Sequence, residues 1–277
     1  MKRKVLKVLA FLTAAALIAG IAMFSTALMG NPVSRFLARR TAVRHLKETY
    51  PGTDYFIEDL NYDFKSSGYY AGISSPSSID TRFTLYFDMM GHLKYDSYDQ
   101  VAGGFVTARR LDAEYRELTD GVFNAPSFPY DCDIDFGMLS IYPQAEIEGS
   151  DPFDIPVHTI PVEELVLDGN YDIRELGRRA GQLIIYVNSD EVNAEKAAEI
   201  IVRIRQIFDD AGVTFAEMDF TLEHPKPTEG QRNEETVSAR GIAYEDIRED
   251  GMAERIETAD KALKAYYAEQ DAQNKKS

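Results

Sequence analysis

Hydrophobic and polar positions change period several times along this chain, and each change marks an element. From 8 to 30 there is no period: VLAFLTAAALIAGIAMFSTALMG holds no charged residue over 23 positions. Such a run is long enough for a bilayer core, and Lys2, Arg3, Lys4 and Lys7 precede it. The pattern therefore predicts an N-terminal transmembrane helix, retained as a signal-anchor. Asn31-Pro32 ends it, and helical spacing resumes over 33–50. There Phe36, Val43, Leu46 and Tyr50 share one face, and the bases gather on the other.

Beyond Pro51-Gly52 the period drops to two. Leu60, Tyr62 and Phe64 alternate with polar residues, and 69–74 forms a second strand-like stretch. Ile79, Thr81, Phe83, Leu85 and Phe87 then alternate with Asp80, Arg82, Thr84, Tyr86 and Asp88, and 93–98 follows the turn at Gly91. Leu111, Tyr115, Leu118 and Val122 restore the helical period. Residues 31–125 thus predict a helix, a four-stranded meander and a helix.

Residues 126–162 are rich in Pro, Asp and Tyr, with a strand-like stretch at 134–147 and a surface loop at DPFDIPVHTIP. A short helix at 171–179 leads to QLIIYV at 182–187, apolar enough for a central strand. Asn193 caps a helix carrying Ala197, Ile200, Ile204, Ile207 and Ala211 on one face, and Gly212 stops it. Met218, Phe220 and Leu222 alternate again, which completes a strand–helix–strand unit. A polar linker, a weak strand at 237–242 and a helix from about Tyr244, with Ile256, Ala259, Leu263 and Tyr267 on one face, finish the chain. The fold class expected is α+β: a transmembrane segment (1–30) followed by two small α+β domains, 31–125 and 126–277.

Charge adds a polarity to this layout. The chain has 30 Lys and Arg against 46 Asp and Glu, a net charge of −16. Residues 1–50 hold nine of the bases and one acid, Glu48, so the remainder carries 21 bases against 45 acids. Such a field repels phosphate backbones and excludes nucleic acid as a natural partner of the acidic part. Arg35, Arg39, Arg40, Arg44 and Lys47 cluster on the helix after the apolar run. The expectation is contact with anionic lipid head groups beside the anchor at 8–30, or a solvated face of a core-packing helix.

Candidate chemistry is sparse. A lone cysteine, Cys132, rules out an internal disulfide, and His45, His92, His158 and His224 lie singly, without zinc or thiol-protease spacing. Asp131-Cys132-Asp133-Ile134-Asp135 opens like a calcium loop, but Phe136 and Tyr142 stand where Gly and Glu are needed. Alternation accounts for the same residues by turning Cys132, Ile134 and Phe136 inward. Gly103-Gly104 precedes a helix without the further glycine or lysine of a phosphate loop, and reads as a turn. Sixteen tyrosines, Tyr69-Tyr70 and Tyr266-Tyr267 among them, suit either core or contact roles. No catalytic, cofactor or metal residue is assigned.

Four segments stand out, GNPVSRFLARRTAVRHLKETYP, YYAGISSPSSIDTRFTLYFD, RRLDAEYRELTDGVF and RGIAYEDIREDGMAERIETADKALKAYYAEQ, and in them GNP after the apolar run and SPSS before the third strand are not forced by fold. Together they resemble the YfjL-like family of Gram-positive bacteria, over about 31–270. The resemblance implies a membrane-tethered envelope protein of two small α+β domains, and it carries no catalytic residues with it. The function expected is a non-enzymatic binding or interaction module: single-pass, at the cell membrane, with its folded region outside. A carboxylate-based envelope hydrolase and a subunit of a membrane complex are the alternatives.

Overall fold

A computed structural model of the protein describes residues 2–150, 155–225 and 235–274. By internal contacts the chain divides between Val106 and Thr107 into two α+β units. The first helix, α1 (Lys2–Met29), spans the apolar run. Among the described residues, however, no helix is long and apolar enough to cross a membrane. Crossing needs about 20 consecutive apolar residues. The expected transmembrane helix is therefore corrected to an N-terminal helix with exposed apolar side chains, among them Phe11, Ile18 and Phe24.

In the first unit α2 (Pro32–Thr49) lies on a sheet of β1 (Phe56–Asp63), β2 (Gly68–Ser75), β3 (Ser78–Asp88) and β4 (Leu93–Asp96). The order β1-β2-β3-β4 with antiparallel pairing is the expected meander. Two strand ends depart from the alternation. Phe64 lies past the end of β1 and is 57% exposed, and Ile79 is 62% exposed while Asp80 is buried. A register shift at Ser74/Ser75 explains the second case, because a bulge exchanges the two faces of a strand. The sheet's core side chains include Leu60, Tyr69, Ile73, Phe83, Leu85 and Phe87.

The face of α2 that meets this core is only in part the one expected: Leu46 and Tyr50 pack against it, and Phe36 and Val43 do not. Ser34, Ala38 and Ala42 are buried, whereas Phe36 is 64% exposed and Val43 51%. Small residues let the helix backbone approach the sheet, and larger ones there would overpack it. The turn after β3 adds to the closeness. A Cβ at Gly91, which has φ +74°, would sit 2.6 Å from Leu37 Cβ.

Beyond α3 (Asp99–Ala102), helix α4 (Phe105–Phe123) packs with the second unit, although its position after the meander suggested the first. Gly103-Gly104 is the turn between the two helices, with the Gly103 N–H donating to Asp99 O. The second unit holds β5 (Cys132–Leu139), β6 (Ile141–Tyr142), α5 (Gln144–Gly149), β7 (Ile160–Pro161) and α6 (Ile173–Ala180). After these come β8 (Gly181–Asn188), α7 (Ala194–Asp210), β9 (Glu217–Glu223), β10 (Thr236–Ala243) and α8 (Met252–Asn274). The strand-like stretch at 134–147 is thus β5, β6 and α5. The last helix begins at Met252, because Tyr244–Asp246 forms a separate 3-10 turn.

The larger sheet has order β10-β9-β8-β5, with β8 and β9 parallel around α7, the expected strand–helix–strand unit. Leu183, Ile185 and Val187 pair with Met218, Phe220 and Leu222, and these rows meet Ile200, Ile204 and Phe208 of α7. Both edges of this sheet are sealed by helix side chains. Asp112 and Thr119 of α4 accept the N–H groups of Leu139 (2.8 Å) and Gly137 (3.1 Å) in β5. Asp260 of α8 accepts from Ser238 N (3.0 Å), and Lys264 donates to Thr236 O (2.9 Å), in β10. Helix and strand approach closely enough that a Cβ at Gly137 would lie 2.5 Å from Thr119 Cγ2.

Tyr115 of α4 is fully buried and donates to Thr214 O at 2.9 Å. Tyr115→Phe leaves that carbonyl without its donor inside the protein. The expected result is a loss of about 1–2 kcal/mol in the second unit's stability, read as a lower urea midpoint at unchanged slope.

Candidate functional site

The most unusual surface in the described structure lies on α2, and it follows from how the helix is fixed. At its N-terminus Asn31 Oδ1 accepts from Ser34 N at 2.8 Å. Tyr69 of β2 holds the same residue from the sheet: its hydroxyl donates to Asn31 O (2.8 Å) and accepts from Asn31 N (2.7 Å). At the C-terminus Asp96 of β4 takes three donors. His45 Nε2 lies 2.6 Å and the Tyr50 hydroxyl 2.7 Å from Asp96 Oδ2, and Tyr98 N donates to Oδ1 at 3.0 Å.

Around this carboxylate Tyr50, Tyr55, Tyr98 and Phe83 pack with ring centroids 4.8–6.1 Å apart. Burial, then the hydrogen bond and charge of Asp96, push the Tyr50 phenol far up. Burial and the Tyr98 hydrogen bond push Tyr55 up to about 12. Both phenols thus stay protonated and remain donors. Thr49 Oγ1 sits 3.1 Å from His45 Nδ1, which completes a hydroxyl–imidazole–carboxylate chain. That chain stands at the C-terminal end of α2, where His45 shares a small cleft with Arg44 and Glu48. Its work is to tie α2 to β4.

With its small face against the sheet, α2 turns its large and charged residues outward. Arg35, Arg39, Arg40, Arg44 and Lys47 are all exposed, and Val33, Phe36 and Val43 lie among them. Among the described residues none of the five bases has a carboxylate within ion-pair reach. Elsewhere in this acidic chain several bases are paired, among them Arg110–Glu114 (2.8 Å), Arg178–Glu175 (2.7 Å) and Lys261–Glu257 (2.6 Å). Sequence reasoning found the five bases but assigned Phe36 and Val43 to the core; they belong to the exposed surface.

Two clefts flank α2 on its β1 side. One, of about 590 Å³, is lined by Arg39, Val43, Leu46, Lys47, Tyr55 and Ile57 among others. The other, of about 270 Å³, is lined by Pro32, Arg35, Leu60, Asn61, Tyr62 and Tyr69 with the end of α1. The first volume is in the range of small-ligand sites.

The other residues singled out from sequence are dispersed. In the acidic run at 131–135, Asp131 and Asp133 share one donor. Asn188 Nδ2 donates to Asp131 (3.1 Å) and Asp133 (2.8 Å), and a register shift between Cys132 and Ile134 leaves Ile134 exposed instead of inward. Among the described residues no three His, Cys, Asp or Glu side chains are placed to hold a metal ion. His92 contacts Asp88, and His224 contacts Ser189 O. His158 donates through its backbone N–H to Glu217 Oε2 (3.2 Å), with Nδ1 at 3.0 Å.

Glu217 was not singled out, and it is 1% exposed. Asp219, two residues on, is raised by burial, against a hydrogen bond from Gly241 N at 2.8 Å. Neither carboxylate lines the clefts above. Of the tyrosines, Tyr69 is buried, while Tyr267 is exposed beneath the Arg240 guanidinium at 5.6 Å.

The comparisons with known proteins agree with the division into two units. Residues 4–97 match the model described as the YfjL-like N-terminal domain, and residues 114–257 match the YfjL-like C-terminal domain. The chain belongs to the YfjL-like family. No curated protein and no solved structure matches it. Within this YfjL-like chain the N-terminal domain holds α1, α2 and the meander, so the basic surface and both clefts lie on that domain.

Two outcomes follow. Asp96→Ala strands the His45 and Tyr50 donors together, and the expected loss is about 2–4 kcal/mol in the first unit by urea unfolding. Burial, with Asp135, Asp131 and Asp133 nearby, pushes the Cys132 thiol up to about 12. A raised thiol pKa leaves less thiolate at pH 8, so native protein should react with a disulfide reagent roughly 10²–10³-fold more slowly than urea-unfolded protein.

Proposed function

We propose that this chain is a non-enzymatic interaction module that docks on an anionic lipid surface through the outer face of α2. The observation that carries the reading is a set of five unpaired bases on one exposed helix of a chain with net charge −16. The overall charge repels an anionic surface, but at physiological salt it is screened beyond about 8 Å. At contact distance the local charge decides, and each base near an anionic leaflet contributes about 1 kcal/mol.

The exposed side chains of Val33, Phe36 and Val43 add an apolar term that an acidic protein surface would not reward as well. Phe24, Leu28 and Met29 of α1, also exposed, precede them in the chain. The proposed docking is peripheral, with the helix lying along the surface.

Cosedimentation of the full chain with vesicles tests the reading. Phosphatidylcholine vesicles containing phosphatidylglycerol should bind the protein more strongly than phosphatidylcholine alone. The double variant Arg40→Gln, Arg44→Gln should lose roughly 10- to 30-fold of that anionic partition, with no change on neutral vesicles. Equal binding to both vesicle types, or an unaffected variant, removes the proposal.

A further inference from the structure

The flank of α2 facing β1 differs from its outer face, and it borders an open strand. β1 is one of the two end strands of the first sheet, β4 being the other, and among the described residues no strand pairs with its outer edge. The larger sheet, by contrast, has both edges sealed by side chains of α4 and α8. The two clefts lie at the two ends of β1, between that strand and α2. One reaches the start of β1 at Phe56 and Ile57, and the other reaches its far part at Leu60, Asn61 and Tyr62. On the helix side the groove carries Arg39, Val43, Leu46 and Lys47 at one end and Arg35 at the other.

The acids of β1 do not offset these bases. Glu58 accepts from Ser74 Oγ at 2.5 Å, and Asp59 from Gly72 N at 2.9 Å, so both are turned toward β2. A free strand edge, an apolar floor and unpaired cations on the opposing helix favour an extended chain bearing acidic side chains.

We propose that the groove between α2 and β1 seats an extended acidic peptide, added to β1 as a fifth strand of the first sheet. Spacing sets the pattern of that peptide. Arg35 and Arg39 are about 6 Å apart along the helix axis, and Lys47 lies about 12 Å further. Alternate residues of a strand are about 6.8 Å apart. Acids at the first, third and seventh positions therefore face the three bases, and an apolar residue at the fifth faces Val43 and Leu46. The site uses Arg35 and Arg39 rather than the outward pair Arg40 and Arg44, so it does not depend on the lipid reading.

The test uses the full chain and a fluorescent eight-residue peptide, Glu-Thr-Glu-Thr-Val-Thr-Glu-Thr, with anisotropy as the readout. Saturable binding is expected, at least roughly tenfold weaker for Arg35→Gln, Arg39→Gln and unchanged for Arg40→Gln, Arg44→Gln. Two further peptides, backbone N-methylated at odd or at even positions, separate strand addition from charge attraction. One set blocks the amides that face β1 and should abolish binding, while the other should be tolerated. The proposal is overturned if both methylated peptides bind alike. It is also overturned if the parent peptide fails to bind, whether the protein is then a monomer or sediments as a dimer with a second copy on the edge. Vesicle partition measured on the same variants reports the lipid reading separately.

Discussion

Close approach between α2 and the first sheet is the constraint on which the described surface depends. It rests on Ser34, Ala38 and Ala42, three residues too small to hold the helix away. Burying them leaves nowhere for Phe36, Val43 or the bases except the outside. The approach is pinned at both helix ends by polar contacts rather than by bulk: Tyr69 on Asn31, and Asp96 on His45 and Tyr50. Directional bonds of this kind fix rotation about the helix axis, which small apolar contacts alone leave loose. Once rotation is fixed, Arg35 and Arg39 face β1, and Arg40 and Arg44 face away.

The second unit solves a different problem with the same means. Its acidic residues are drawn into backbone contacts. Asp112 and Asp260 serve strand edges, Asp219 receives Gly241 N, and Glu217 receives His158 N. Carboxylates used in this way are structural acceptors, and their burial raises Asp219 as a side effect. A raised carboxylate pKa in a fold of this kind is a trace of packing, and it does not by itself mark a reacting group.

Much of the fold was legible from the chain. The run from Ile79 to Phe87 gave β3, and the helix capped by Asn193 between two apolar strands gave the parallel unit. What was not legible involves two elements at once. Large apolar residues at helical spacing usually mean core, so Phe36 and Val43 outranked Ala38 and Ala42, whose role appears only when the partner sheet is present. The shifts of register at Ser74 and Cys132 depend on the neighbouring strand, and alternation read along one strand carries straight through them. The five bases were visible as a group. Their lack of counter-ions was not, because pairing is decided by what the fold brings near. The position of β1 at the end of its sheet was equally hidden, since strand order is a property of pairing.

The unequal treatment of sheet edges bears on how the protein behaves when crowded. Among the described residues of the second unit, the β5 and β10 edges of the larger sheet are engaged by α4 and α8. The first unit lacks such cover. What stands beside β1 is the basic flank of α2, with Arg35 and Arg39, which would meet its own kind if two copies aligned edge to edge there. Dense counter-ions would screen that repulsion, so high salt is where the β1 edges of two copies would first meet.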